Sequence, residues 1–216
     1  VSIVKLKQQS GYSIYNQDVK RRTKHNTLQN FYPKLPNKKF DIIYADPPWD
    51  YNKKLQYDTS KSLYISTSSF KYPTLKTNEM MEIPIDKIVK DDCLLFMWTT
   101  NPHLSQAIEL GKAWGFEYRT VAFVWDKMNH NPGKYTLSNC ELCLLFKHGR
   151  IPNPRGARNV RQLVTIPRKR HSEKPIEVMQ GIEKMFPNQQ RIELFARKKF
   201  KGWSSWGLDV VMKNSI

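Results

Sequence analysis

The sequence predicts an α/β domain with a mostly parallel central sheet flanked by helices, and three observations lead there. Short apolar runs rich in β-branched and aromatic residues recur at 40–45, 93–98, 121–125, 142–146 and 191–196, each short enough for a buried strand. Between some of them lie stretches with apolar residues at helical spacing, such as Leu104, Ala107, Ile108 and Gly111. The chain has 216 residues, 39% of them hydrophobic, enough to bury one sizeable core.

Residues 1–37 read as a basic arm, with Lys20-Arg21-Arg22 and Lys24 ahead of Phe31-Tyr32 and two prolines; residues 38–216 read as the folded domain. Phe40 to Ala45 forms a strand that Asp46-Pro47-Pro48-Trp49 stops, because neither proline can donate to a ladder. The strand therefore delivers Asp46 to a sheet edge. Asp50 to Pro73, rich in Ser, Thr, Lys and Tyr without periodicity, reads as a long mobile loop beside that edge. Thr77-Asn78-Glu79 opens a short helix, Cys93 to Trp98 is a second strand, and the helix from Leu104 reaches Trp114. Val121–Trp125 and Leu142–Phe146 are further strands. Lys147 to Arg170 is a basic connector carrying Arg150, Arg155, Arg158, Arg161, Arg168, Lys169 and Arg170, the makings of a polyanion track. Ser172 suits the N-cap of a helix from about Pro175 to Phe186; Arg191 to Ala196 is a strand; Gly202 to Gly207 is a turn into the run Val210-Val211-Met212.

Lys and Arg number 36 against 19 Asp and Glu, and the formal charge of +17 favours polyanionic partners over acidic small molecules. No apolar run approaches a membrane span and no signal-like segment opens the chain, so a soluble, intracellular protein is expected. Cys93, Cys140 and Cys143 do not make a disulfide framework, and Cys140-Glu141-Leu142-Cys143 lacks the second ligand pair of a zinc site; no metal is expected.

Asp46 to Trp49 is the segment that carries chemistry. The lone pair of an aromatic amine is delocalised into its ring, and an enzyme that alkylates it must localise that pair. Asp46 would accept one amine hydrogen and the Pro47 carbonyl the other, so that two hydrogen bonds replace a general base. Trp49 would add a flat face on which a flipped base stacks. The plainer alternative is a stiff turn with Trp49 in the core.

These four residues, with Tyr72-Pro73-Thr74, Leu95-Phe96-Met97-Trp98, Ser172-Glu173-Lys174-Pro175 and Ile192 to Arg197, resemble the METTL family of S-adenosylmethionine-dependent adenine-N(6) methyltransferases over about residues 38–210, above all its eukaryotic DNA-adenine-methylating branch. The resemblance implies a Rossmann-like methyltransferase fold in which the catalytic motif precedes the cofactor-binding end. It also implies S-adenosylmethionine as methyl donor, transfer to N6 of adenine in DNA, a nuclear location and a heterodimer with a catalytically silent paralogue. By the same resemblance Asp46, Pro47, Lys174 and Arg197 bind the donor, Tyr72 closes over the site and Trp125 and Glu141 lie near the substrate groove; Asp209, as a carboxylate, would accept from the donor's ribose hydroxyls. The basic residues Arg155, Arg158, Arg161, Arg168, Lys169 and Arg170 are then its nucleic-acid track. One departure stands out: where the family commonly has an amide pair, this chain has Leu208-Asp209. Three alternatives stay open: an mRNA adenine methyltransferase, a silent nucleic-acid-binding subunit, and an enzyme acting on protein glutamine or a free base. Intact Asp46-Pro47-Pro48-Trp49 argues against the second, and the positive charge against the third.

Overall fold

A computed structural model describes residues 32–49, 56–58, 63–65, 75–131, 135–168, 173–208 and 210. Along the chain these form β1 (Phe40–Ala45), the antiparallel pair β2 (Gln56–Asp58) and β3 (Leu63–Ile65), α1 (Thr77–Met81), β4 (Val89–Thr99), α2 (Leu104–Ala113), β5 (Glu117–Asn131), β6 (Ser138–His148), β7 (Leu163–Thr165), α3 (Ile176–Met185), β8 (Arg191–Leu194) and β9 (Ser204–Trp206). Short 3-10 turns at Ile85–Ile88 and Asn101–His103 lead into β4 and α2.

A seven-stranded sheet runs in the order β7-β5-β6-β4-β1-β8-β9. β1 lies parallel to β4 and β8, β8 to β9, and β5 to β7, while β6 runs antiparallel to both β4 and β5. The expected mostly parallel sheet is thus observed, in an arrangement consistent with a Rossmann-like methyltransferase fold. β1 is apolar on both faces because both are covered. Ile43 and Ala45 join Met80 of α1 and Ala107 and Leu110 of α2 in one core layer. Ile42 and Tyr44 join Val178, Met179 and Ile182 of α3 in the other. Gly111 lets α2 approach β6 closely, since a Cβ there would collide with the Phe146 ring. Gly115, at φ 84°, turns the chain out of that helix.

From β1 the chain builds outward through β4 on one side and returns to build through β8 and β9 on the other. The strand order reverses between β1 and β8, and the carboxyl ends of those strands flank the crevice where open α/β sheets bind ligands.

The differences from expectation have local causes. β2 and β3 pair within the segment expected to be a long mobile loop, and the rest of 50–73 lies outside the described residues. β5 and β6 are longer than their apolar centres, since two strands that pair along a hairpin need not stay apolar once past the covered sheet. β7 lies inside the basic connector and β9 inside the expected turn; both are edge strands, held through one neighbour only. Residues 1–31 of the arm lie outside the described residues, but its end is not free: Tyr32 stacks on Trp206 at 4.8 Å, and Trp206 Nε1 donates to the Pro33 carbonyl at 2.8 Å. Among the described residues no helix is long and apolar enough to cross a membrane.

Candidate active site

β1 ends at Ala45, and the next residues turn sharply over the sheet edge. Trp49 N–H donates to the Pro47 carbonyl at 2.9 Å, and Leu75 N–H to the Pro48 carbonyl at 2.8 Å, so the prolines' acceptors organise the turn itself. The Pro47 carbonyl, expected to be free, already accepts one hydrogen bond; its second lone pair remains for a substrate. Trp49 departs further from expectation. It is 5% exposed, its Nε1 donates to the Trp98 carbonyl at 3.1 Å, and its ring stacks against His103 at 5.7 Å. Its large apolar ring is worth more in the core than facing solvent, so it anchors the turn to the end of β4 and offers no open platform.

Strand alternation then assembles the charged groups on one face. Residues 42 and 44 of β1 point toward α3, and Asp46 follows in the same phase, as do Lys127 beyond Phe123 and Trp125 on β5, and Glu141 before Cys143 on β6. Lys174, just ahead of α3, closes the group from above. Its Nζ lies 2.8 Å from Asp46 Oδ1 and 3.3 Å from Glu141 Oε2, and Lys127 Nζ lies 3.4 Å from Glu141 Oε1. The same ammonium sits 5.6 Å above the Trp98 ring, whose Nε1 donates to the Tyr44 hydroxyl. The result is an alternating row of two carboxylates and two ammonium groups along the carboxyl edge of the sheet.

Burial alone would push the Lys174 ammonium down, but the Asp46 and Glu141 carboxylates outweigh it and hold its pKa above the ordinary lysine value. Burial would likewise raise Glu141, and Lys174 and Lys127 reverse that, keeping it below the usual carboxylate range. Lys174 therefore stays a cation and Glu141 an anion at neutral pH. Neither suits proton transfer; both suit fixed electrostatic recognition.

On the other side of β1, Glu193 of β8 pairs in register with Tyr44 and with Ser205 of β9. Glu193 Oε2 and Ser205 Oγ are buried without a hydrogen-bond partner. Phe195, at φ 60°, turns the chain out of β8 in a strained left-handed conformation, its ring edge-on to Tyr32 and Trp206. Arg197 follows, partly exposed at the same edge. Orphaned polar atoms beside a reversed strand order, with a cation at Lys174 for a carboxylate, fit a zwitterionic nucleoside donor such as S-adenosylmethionine.

Of the residues the sequence singled out, the structure brings together Asp46, Pro47, Lys174, Glu141 and Trp125. Trp125 is 2% exposed, with Nε1 donating to the Ile166 carbonyl at 2.8 Å; it and Lys174 line a cavity of about 230 Å³ together with Pro167, Pro175 and Phe200. Its indole lines that cavity from within the core, beside Lys174. The arginines divide. Arg158, Arg161 and Arg168 are exposed, and Arg168 N–H donates to the Lys127 carbonyl at the site's rim. Arg155 instead packs its guanidinium 5.6 Å from the Phe186 ring beyond the carboxyl end of α3, with Nε buried, because the adjacent Gly156 and Ala157 amides tie that segment to the helix end. Since Lys174 lies just ahead of α3, the helix's far end lies away from the site, and Arg155 leaves the expected track. Tyr72, Lys169, Arg170, Ser172 and Asp209 lie outside the described residues. Sequence reasoning missed Lys127, Glu193 and Ser205; an acidic residue inside an apolar strand was the available signal for Glu193.

A family model described as MT-A70 matches residues 40–209. The chain is 56% identical over 211 residues to a Mycoplasma protein named Type II methyltransferase M.MunI, an alignment spanning 93% of this chain and 91% of that one. It is 30% identical over 194 residues to the human N(6)-adenine-specific methyltransferase METTL4, spanning 81% of this chain and 38% of METTL4. Against the human N(6)-adenosine-methyltransferase catalytic subunit METTL3 it is 30% identical over 173 residues, spanning 74% and 26%.

Proposed function

The chain belongs to the MT-A70 family and is an adenine-N6 methyltransferase of the S-adenosylmethionine-dependent kind, and we propose that its substrate is adenine in DNA, held by Asp46 and Pro47. The observation that carries the assignment of roles is the placement of Asp46: at the carboxyl end of β1, beside the strand reversal, and ion-paired to Lys174 at 2.8 Å.

Asp46 spends one oxygen on Lys174 and keeps acceptor capacity for an amine hydrogen; the remaining lone pair of the Pro47 carbonyl takes the other. With both hydrogens held, the nitrogen pyramidalises and its lone pair turns away from the ring. When bound, S-adenosylmethionine supplies an electrophilic sulfonium methyl. As the methyl's bond passes from sulfur to nitrogen, with sulfur keeping the electron pair as a thioether, the positive charge on the nitrogen would be stabilised by Asp46, already hydrogen-bonded there, and the proton shed by the methylated amine would pass to solvent. Lys174, locked as a cation, holds Asp46 in place and pairs with the donor's carboxylate. Glu141, kept anionic by Lys174 and Lys127, offers an acceptor to the edge of the incoming base. Arg197, partly exposed at the same edge, completes the donor site. Trp49 and Trp98 fix the turn.

A nucleic-acid substrate is favoured by the charge of +17 and by exposed Arg158, Arg161 and Arg168, and DNA over RNA by the likeness to a protein named Type II methyltransferase over nearly the whole length of both chains. The pairing with a silent paralogue and the nuclear location were expectations drawn from eukaryotic members; the likeness to a Mycoplasma protein over nearly its whole length lends them no support. A labelled-methyl assay on matched DNA and RNA oligonucleotides tests the proposal. Incorporation into DNA at least tenfold above RNA is expected; preference for RNA would reverse the substrate assignment.

A further inference from the structure

We infer that the β5–β6 hairpin carries a wedge, Met128, which enters the base stack of duplex DNA and fills the gap left when the target adenine turns out toward Asp46. The inference rests on the DNA reading above and concerns how the adenine is reached. Inside a duplex the ring is stacked and its amine is paired, so a site at the edge of a sheet meets that amine only after the base has left the helix. An apolar side chain pushed between base steps holds such an opening.

The hairpin is built for this at one position. Asp126 of β5 pairs with Cys140 of β6, and the next pair is Asn131 with Ser138, so residues 127–130 oppose Asn139 alone. A bulge of that size re-aims the side chains it displaces. Met128 sits in it at φ 53°, a left-handed conformation that a residue other than glycine keeps only where its surroundings hold it. Asp126 does the holding: its Oδ1 accepts from Met128 N–H at 2.9 Å. The side chain thus fixed is 59% exposed, while Lys127, the residue before it, is buried with Nζ 3.4 Å from Glu141 Oε1 in the row that includes Asp46. Local strain therefore keeps an apolar side chain out of the core one residue from the groups assigned to the flipped base.

The surroundings match nucleic acid. Six large apolar side chains are exposed among the described residues, and Met128, Tyr135 and Leu137 of this hairpin are three of them, which makes it the place where apolar surface is concentrated. Tyr135, 97% exposed, adds a ring on which a base can stack. From Lys127 to Cys140 the sequence contains no carboxylate and includes Lys127, His130 and Lys134. Exposed Arg168 is tied to the hairpin's base, its N–H donating to the Lys127 carbonyl at 3.3 Å, as Ile166 N–H donates to the Asp126 carbonyl at 3.2 Å. Apolar side chains flanked by cations suit a base stack lined by phosphates. Methionine, unbranched and polarisable, fills an irregular gap well.

Methylation of two duplexes separates a wedge from an ordinary contact. Both carry a site that the wild type methylates in plasmid DNA; in one the target adenine is paired with thymine, and in the other it faces an abasic position and is already loose. Met128→Ala keeps the backbone and removes the wedge. It is expected to lower kcat/KM about tenfold more on the paired duplex than on the loose one, and Met128→Leu to restore most of the difference. With 2-aminopurine at the target position, the rise in fluorescence on binding, which reports unstacking, should be smaller for Met128→Ala than for the wild type. Equal losses on the two duplexes, or no loss on either, would overturn the inference and leave the DNA assignment standing. So would a change from dimer to monomer in sedimentation velocity of Met128→Ala, since the hairpin would then meet a second copy of the chain. Methylation of RNA alone by the wild type would overturn both.

Discussion

Replacing Lys174 with methionine removes the one cation shared by Asp46 and Glu141 while keeping most of the side chain's volume. At an effective dielectric of about 20, the separations of 2.8 and 3.3 Å correspond to Coulombic attractions of about 6 and 5 kcal/mol. Desolvation of the three partners offsets much of this in the intact site, so the ion pairs add little net stability. The variant has no such balance: two mostly buried carboxylates remain, with Lys127 beside Glu141. Breaking a buried pair typically costs 3–5 kcal/mol, and with side chains 13–19% exposed about 3 kcal/mol is expected here. The cost depends on pH in a determined direction. The Glu141 pKa is lowered in the fold, so its contribution is present above the ordinary carboxylate value of about 4.3 and is lost as pH falls through the lowered value. Lys174 is raised, so its contribution persists up to the ordinary lysine value of about 10.4 and is lost only as pH climbs through the raised one. Urea denaturation of both proteins should therefore give a deficit of about 3 kcal/mol at pH 7 from a shifted midpoint with unchanged slope, narrowing at pH 4. A deficit under about 0.5 kcal/mol at pH 7, typical of exposed ion pairs, would refute the reasoning, as would one that does not change with pH.

Trp49→Phe keeps an aromatic ring but strands the Trp98 carbonyl that Nε1 now engages at 3.1 Å; a stability loss of about 1–2 kcal/mol in the same denaturation experiment is expected, and an unchanged midpoint would mean the bond anchors nothing. Charge reversal at Arg158, Arg161 and Arg168 should lower the slope of log affinity for DNA against log salt by about 2–3, whereas Arg155→Ala should leave it unaltered; the opposite pattern would move the track to the far end of α3.

What the sequence made legible was what is encoded locally. β1 shows its limits exactly where apolar residues meet two prolines, because a proline's missing donor is a property of one position. Lys174 was legible only through the family likeness of Ser172-Glu173-Lys174-Pro175; by itself it reads as a surface cation. What escaped depends on neighbours distant in the chain. β7 and β9 have three residues each and sit among turn formers, so only their partners β5 and β8 define them as strands. Trp49 carries no local sign of which face it turns, and the Trp98 carbonyl 49 residues away decides that it is buried. Arg155 looks like its neighbours Arg158 and Arg161 until the end of α3 is placed beneath it. Glu193 looks like a surface carboxylate of an edge strand until β9 is added outside it.

The account stands most directly on Asp46 as the group that holds the amine. The decisive measurement is nucleoside mass spectrometry of DNA incubated with isotopically labelled donor and either wild-type protein or Asp46→Ala, with donor affinity measured in parallel. Labelled N6-methyladenine from the wild type is predicted, with a fall of at least about 100-fold in the variant and donor affinity within a few-fold. Turnover retained by Asp46→Ala, or label appearing on a ring nitrogen or another base, would contradict it.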